Sequence, residues 1–370
     1  MTAMLRFVMR LRFAATFALA LASVVGCTSG SRVEPDGGSA TTGAAPTSET
    51  TITATSDTND GITNTTPTVP TATTARAAST VCTTPTSTLT PHLTPPGPLR
   101  SPAAVPAPGE GIWKPLGPTV GGIQGAYTTL IRPDATNTAF FDAVVWFDPT
   151  ILCLRQYPGL KIPGAPWDRP PFVEPEHQTQ LVAAFSAGFR IQDSRGGMIL
   201  GQQTLSPMIN GKATLAIDQN GVPKIGAWGT DITATQNLDS ARQNLELIVI
   251  NAMPATELAT DPNAHWGFTG PRNKPAVWRS GIGIRADGSI VWVGGDRLSV
   301  ETLAETLVRA GAITGMQLEI NKPWVQLNTY AANADGRVHG TKLLTGMQHT
   351  GDRWLTEDSR DFIAVFIRPT

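Results

Sequence analysis

The chain lacks an excess of charge of either sign. Its 370 residues carry 28 Lys and Arg against 29 Asp and Glu, a balance that gives no reason to expect a nucleic-acid or polyanionic partner. Histidine is scarce, with five residues scattered along the sequence. His92 falls in a Pro/Thr-rich tract. His177, His265, His339 and His349 each stand in polar or loop-like sequence that suits solvation or capping better than metal ligation. No nucleophile elbow, P-loop, HExxH or clustered His/Cys pattern is present, which removes several common enzyme classes. No cofactor is expected on these grounds, and a requirement for a divalent cation is left open. Cysteine is limited to Cys27, Cys82 and Cys153, at spacings that do not suggest a metal site.

Long apolar runs are missing too. The one candidate, "FAATFALALASVVG", is too short to cross a bilayer as a stable helix, which needs about 20 apolar residues. It follows Arg6, Arg10 and Arg12 and ends at Cys27, so it reads as an export signal. The residues "VVGC" resemble a bacterial lipobox, which makes residues 1–26 a lipoprotein signal peptide and Cys27 the lipidated first residue of the mature chain. One acyl chain anchors weakly, so stable attachment implies more than one. The expected location is extracytoplasmic, lipid-anchored to the bacterial cell membrane. An exported protein can oxidise Cys82 and Cys153 to a disulfide. The alternatives are a buried, hydrophobe-like Cys153 and a free thiol at Cys82.

Bulky apolar residues are nearly absent from residues 27–98, where Thr, Ser, Ala and Pro dominate. Such a segment cannot bury a core and reads as a disordered linker. As a random coil of some 70 residues it would reach roughly 45 Å, and in polyproline conformation about 200 Å.

The remaining segment, residues 99–370, carries the fold. "NTAFFDAVVWFDP" is an apolar, β-rich run, and "KATLAIDQNGVPKIGAW" places Asn220-Gly221 between two alternating segments as a hairpin turn. "SGIGIRADGSIVWVGG" repeats the pattern around Asp287-Gly288. In it Arg279, Gly281, Gly283 and Arg285 share a strand face, and the glycines leave room there for a ligand or another backbone. "SVETLAETLVRAG" predicts a helix capped by Ser299, with Val300, Leu303, Ala304, Leu307 and Val308 as its buried stripe. A second helix is expected from Pro175 through "EHQTQLVAAF". "MQLEINKPW" alternates, with Met316, Leu318 and Ile320 on one face and Gln317, Glu319 and Asn321 on the other. These elements together predict a single α+β domain around a mixed or largely antiparallel sheet with a few flanking helices.

Four ordered blocks carry a resemblance: "LVAAFSAGFR", "GAWGTDI" with "ARQNLELIV", "VWRSGIGIRADGSIVWVGG", and "GAITGMQLEINKPWVQLNTY". Together they resemble the phosphodiester glycosidases, N-acetylglucosamine-1-phosphodiester alpha-N-acetylglucosaminidase-like domains, and within them the exported actinobacterial branch. Two departures stand out. Ser186 and Ala187 occupy the place of the asparagine-glycine of "FNGG", and Glu319 replaces an aspartate. A misplacement near 1 Å costs on the order of a hundredfold in rate.

The resemblance implies hydrolysis of a sugar-1-phosphodiester, whose phosphomonoester leaving group needs its charge held. On that footing Arg279 is the phosphate clamp, since guanidinium matches phosphate oxygens in pairs, and Arg242 is a second cation. Glu319 faces the anomeric carbon, with Asp231 as partner. Ser186, Asn244, Gln317 and Asn321 are candidates for sugar hydroxyls, and Trp324 for a ring face. The implied partner is an envelope glycan or glycolipid phosphodiester. The rival reading is a non-catalytic lipoprotein that binds envelope glycans in the same cleft. Each residue also has a bland competitor: an Arg279–Glu319 structural ion pair, a turn role for Asp231, and packing for Trp324.

Overall fold

Six consecutive buried residues, "DAVVWF", form the Asp142–Phe147 strand, and a strand buried on both faces needs partners on both. This computed structural model describes residues 81–82, 92–164, 167, 169–201, 203–235, 237–258, 265 and 276–369. The expected signal peptide, Cys27 and most of the expected linker lie outside the described residues.

Three sheets account for most of the described chain, and every pairing within them is antiparallel. The first has eight strands in the order Lys114–Pro115, Ala126–Ile131, Asp142–Phe147, Ile290–Leu298, Val277–Arg285, Ala312–Ile320, Leu247–Ile250, Met253–Pro254. The second runs Pro223–Ala227, Ala213–Asp218, Leu238–Gln243, Met198–Leu200, Gln203–Ser206. The third runs Val338–Lys342, Leu327–Ala332, Leu181–Ser186, Phe362–Ile367, Leu152–Tyr157. One apolar cluster joins all three, with Val145 and Trp292 from the first, Leu215 from the second, and Phe185 and Val365 from the third. Among the described residues, no helix is long and apolar enough to cross a membrane.

The fold is therefore mostly β and not α+β. The difference arises at Pro175, where the expected helix is a 3-10 segment, Pro175–Gln180. "LVAAF" then becomes the central Leu181–Ser186 strand, all six residues of which are buried. A short continuous apolar run fits a two-sided strand as well as a helix, and periodicity does not separate them. His177 is buried there against Glu174 and not solvated; His265 is buried as well.

The second expected helix is present as Val300–Arg309. Ser299 and Thr302 close a capping box, and Val300, Leu303, Ala304 and Leu307 are buried. Burial of each leucine is worth about 1.5–3 kcal/mol, so Leu303→Asp would detach the helix from its sheet. The helix also explains the glycine face. A Cβ on Gly281 would lie 3.2 Å from Leu307 and 3.3 Å from Leu303, so the space predicted for a ligand is filled by helix side chains.

Both hairpins form at the expected turns, between Ala213–Asp218 and Pro223–Ala227 and between Val277–Arg285 and Ile290–Leu298. Beside the Asn220-Gly221 turn Cys82 is bonded to Cys153, and the Leu93 N–H donates to Asp148 Oδ2 at 2.7 Å.

Candidate active site

The alternation in "MQLEIN" breaks at a β-bulge, and the site follows from that break. Arg279 pairs with Ile320 and Gly281 with Gln317, so three steps on one strand oppose two on the other. A bulge of this kind re-aims a side chain. Gln317 keeps to the helix-bearing face opposite Gly281, whereas Glu319 turns to the other side. The Ser280 hydroxyl accepts the Glu319 N–H at 3.2 Å.

Glu319 thereby lies at the floor of a cavity of about 650 Å³, lined also by Lys161, Phe189, Arg190, Asn321, Trp324 and Arg360. The strand ends at Ile320, and the next residue, Asn321, has a φ of 75°, a left-handed conformation that Asn tolerates better than most residues. Its carbonyl accepts the N–H groups of Trp324 and Val325, which folds Trp324 back over the cavity. Arg360 enters just before the Phe362–Ile367 strand. Its Nη2 donates to Glu319 Oε1 at 2.5 Å and to the Gly188 carbonyl at 2.8 Å, and its guanidinium sits 4.6 Å from the Trp324 ring centre. Gly159 allows this approach, because a Cβ there would fall 2.4–2.5 Å from Arg360 backbone atoms. The same loop is pinned by the Lys161 and Ile162 N–H groups donating to the Ser359 carbonyl, both at 3.1 Å, which brings Lys161 to the rim. Arg190 completes the rim through a paired contact with Asp193, at 2.6 and 3.1 Å.

Two effects compete at Glu319. Burial disfavours its charge, the Arg360 contact favours it, and nearby Asp361 opposes it again. Burial prevails and the carboxyl is pushed up to about 8. The site therefore holds a carboxyl that is largely protonated at neutral pH, beside fixed cations, at the end of an open cavity. A neutral acid can donate to an anionic ligand that an ionised one would repel.

Glu319, Asn321 and Trp324 thus line one cavity, and the remaining expected residues do not. Arg279 is fully buried on the helix side, where Nη1 donates to Gln317 Oε1 at 2.6 Å and Nε to the Leu298 carbonyl at 3.1 Å. It forms no ion pair with Glu319, and burial lowers it to about 10. Asp231 is an exposed turn residue whose Oδ2 accepts the Ala227 N–H at 2.8 Å.

Arg242, Asn244 and Ser186 lie behind the cavity lining. Arg242 is 1% exposed and pairs with Asp361 at 2.7 Å. Asn244 donates to the Gln317 and Leu318 carbonyls, each at 2.8 Å, tying the end of the second sheet to the first. Ser186 is buried, with no partner for its hydroxyl. Sequence reasoning missed Arg360, Lys161 and Arg190. Of these only Arg190 fell in a block already singled out, "LVAAFSAGFR". Arg360 is separated from Glu319 by 41 residues, and no local pattern links them. Among the described residues no group of three or more His, Cys, Asp and Glu is placed to hold a metal.

No protein-family model and no curated protein matches the chain in sequence. Among solved structures it is similar to a hypothetical protein from Synechocystis, with 13% identity and a TM-score of 0.42 over 69% of this chain and 64% of that one. The chain thus spans just under two thirds of that protein's length. It is similar, with 11% identity and a TM-score of 0.42, to the zebrafish N-acetylglucosamine-1-phosphodiester alpha-N-acetylglucosaminidase catalytic domain auto-inhibited by its pro-peptide, over 70% of this chain and 88% of that one. A putative exported protein from Burkholderia pseudomallei aligns with 10% identity and a TM-score of 0.33, over 61% and 74% of the two chains. These likenesses are of fold, and distant.

Proposed function

We propose that the protein is an envelope-anchored hydrolase of sugar-1-phosphodiester bonds in extracytoplasmic glycans or glycolipids, held to the membrane through Cys27. The observation that carries this reading is the buried Glu319 at the floor of a cavity with Lys161 and Arg190 on its rim and Trp324 on its wall, its carboxyl pushed up by that burial. The rim cations hold the phosphate, taking over the role first expected of Arg279. Trp324 offers a face to a sugar ring, and Asn321 can hydrogen-bond its hydroxyls.

In the reaction the bond between the anomeric carbon and the bridging oxygen breaks. Glu319 gives its proton to that oxygen as the phosphomonoester leaves. Water delivers its hydroxyl to the anomeric carbon, and its proton returns to Glu319. Asp193, the second carboxylate on the lining, is the candidate to orient the water.

A second reading, a non-catalytic glycan-binding lipoprotein, is favoured by the 2.5 Å contact that ties Glu319 to Arg360. Incubation of the purified protein with a chromogenic or phosphate-releasing sugar-1-phosphodiester separates the two. Turnover that Glu319→Gln abolishes while substrate still binds supports the hydrolase. Glycan binding with no turnover in the wild type overturns it in favour of the binder.

A further inference from the structure

The contact between Arg360 and Glu319 is a fork left half closed. Arginine and a carboxylate often join by two parallel bonds, as Arg190 does with Asp193 and Arg353 with Asp358, each pair at 2.6 and 3.1 Å. Arg360 gives Glu319 a single bond, from Nη2 to Oε1, and Nη2 also serves the Gly188 carbonyl. Its Nε is buried without a partner. Its Nη1 is neither buried nor hydrogen-bonded among the described residues. The side chain is only 7% exposed and lines the cavity, so Nη1 is the donor that opens into it.

Several contacts hold the guanidinium in this pose. The Arg360 N–H donates to Asp358 Oδ1 at 2.8 Å, and Asp358 is itself fixed by Arg353. Trp324 lies under the guanidinium, and Gly188 and Glu319 hold Nη2. A donor fixed before its ligand arrives loses little freedom on binding. Glu319 complements it: with Oε1 taken by Arg360, the proton that burial favours falls to Oε2.

We propose that Arg360 is the inner phosphate-binding residue of this cavity, with Nη1 donating to a non-bridging oxygen of a phosphate ester whose bridging oxygen faces Glu319. The identity of the ester as a sugar-1-phosphodiester rests on the hydrolase reading; the phosphate contact does not. Lys161 and Arg190 hold the outer side of the phosphate from the rim, and Arg360 holds its inner side. When the bond from the anomeric carbon to the bridging oxygen breaks, that oxygen takes the Glu319 proton. Arg360 then faces negative charge on both the departing phosphomonoester and the new carboxylate, a contact stronger in the transition state than before it. An alkyl or aryl glycoside brings no anionic oxygen to Nη1, so the site selects phosphodiesters over ordinary glycosides.

The test reads phosphate binding apart from turnover. Inorganic phosphate is titrated calorimetrically into the full chain at constant ionic strength and about pH 6, where it is mainly a monoanion, as a diester is, and Glu319 lies below its value of about 8. The expected result is saturable binding by the wild type, weakened about tenfold or more in Arg360→Gln. Arg360→Lys, which returns a cation without the fork, should lose less. In steady-state assays with a sugar-1-phosphodiester, Arg360→Gln should lower kcat by about a hundredfold or more. If that variant fails to fold, Arg360→Lys decides, weaker phosphate binding than wild type being the expected result. A wild type that ignores phosphate, or phosphate affinity unchanged in the folded variants, would overturn the assignment even with turnover intact. Phosphate binding that depends on Arg360 in a protein without turnover would support the assignment and overturn the hydrolase.

Discussion

Replacing Glu319 by glutamine should make the protein's stability less dependent on pH, by an amount set by the carboxyl's two environments. In the unfolded chain the group titrates at its ordinary 4.5, and in the fold at about 8. Between these values the folded protein holds a proton that the unfolded chain has released, so stability is highest below the lower value and is lost as pH rises through the upper one. At about 1.4 kcal/mol per unit, the rise from about pH 5.5 to 7.5 costs the wild type on the order of 3 kcal/mol from this group. The glutamine variant carries no such term and keeps an acceptor for Arg360. Urea denaturation of both proteins across that range, read by tryptophan fluorescence under oxidising conditions, gives the difference directly, since groups titrating alike in both cancel. The variant should gain about 2–3 kcal/mol on the wild type across the interval. A constant difference, or one that moves the other way, would mean that the 2.5 Å contact with Arg360 keeps Glu319 ionised. The reasoning from burial, and with it the acid role, would then fail.

Arg190 and Arg279 should separate function from structure. Arg190→Ala should leave Tm unchanged and raise KM for a phosphodiester substrate in steady-state assays, because its pair with Asp193 is half-exposed at the cavity rim. Arg279→Lys should instead lower stability by about 1–3 kcal/mol, through loss of the bonds to Gln317 and Leu298, and leave kcat near wild type; chemical denaturation beside kinetics checks both. Cys82→Ser opens a disulfide spanning 71 residues. Loop-closure entropy puts the loss near 4 kcal/mol, measurable as a lower urea midpoint with an m that rises as the unfolded chain expands. On the proposed lipid anchoring, Cys27→Ala should move the protein from the membrane fraction to the soluble secreted fraction, and unchanged membrane retention after signal cleavage would refute the anchor.

Local features of this chain were legible because local rules decide them. The capped helix at Ser299, the hairpins at Asn220-Gly221 and Asp287-Gly288, and the strand at "DAVVWF" each follow from turn chemistry or from a run of apolar side chains. So does the placement of Glu319 on the strand that reaches the cavity, with Asn321 just past its end. Other features needed the assembled sheets. "LVAAF" became a strand because two neighbouring strands were there to bury both of its faces. Arg279 lost its expected role because the helix closes over its side of the sheet. The bulge opposite Ser280 sent Gln317 and Glu319 to different faces, which no reading of a period-two pattern contains. Arg360 reaches Glu319, and Lys161 and Arg190 reach the same cavity, from distant parts of the chain, and only the packing of the third sheet against the first brings them together. The sequence by itself determined which segments could be strands, turns and helix, since those choices rest on neighbouring residues. Tertiary structure decided which charges meet and which carboxyl keeps its proton, since burial and opposing charge belong to the whole fold.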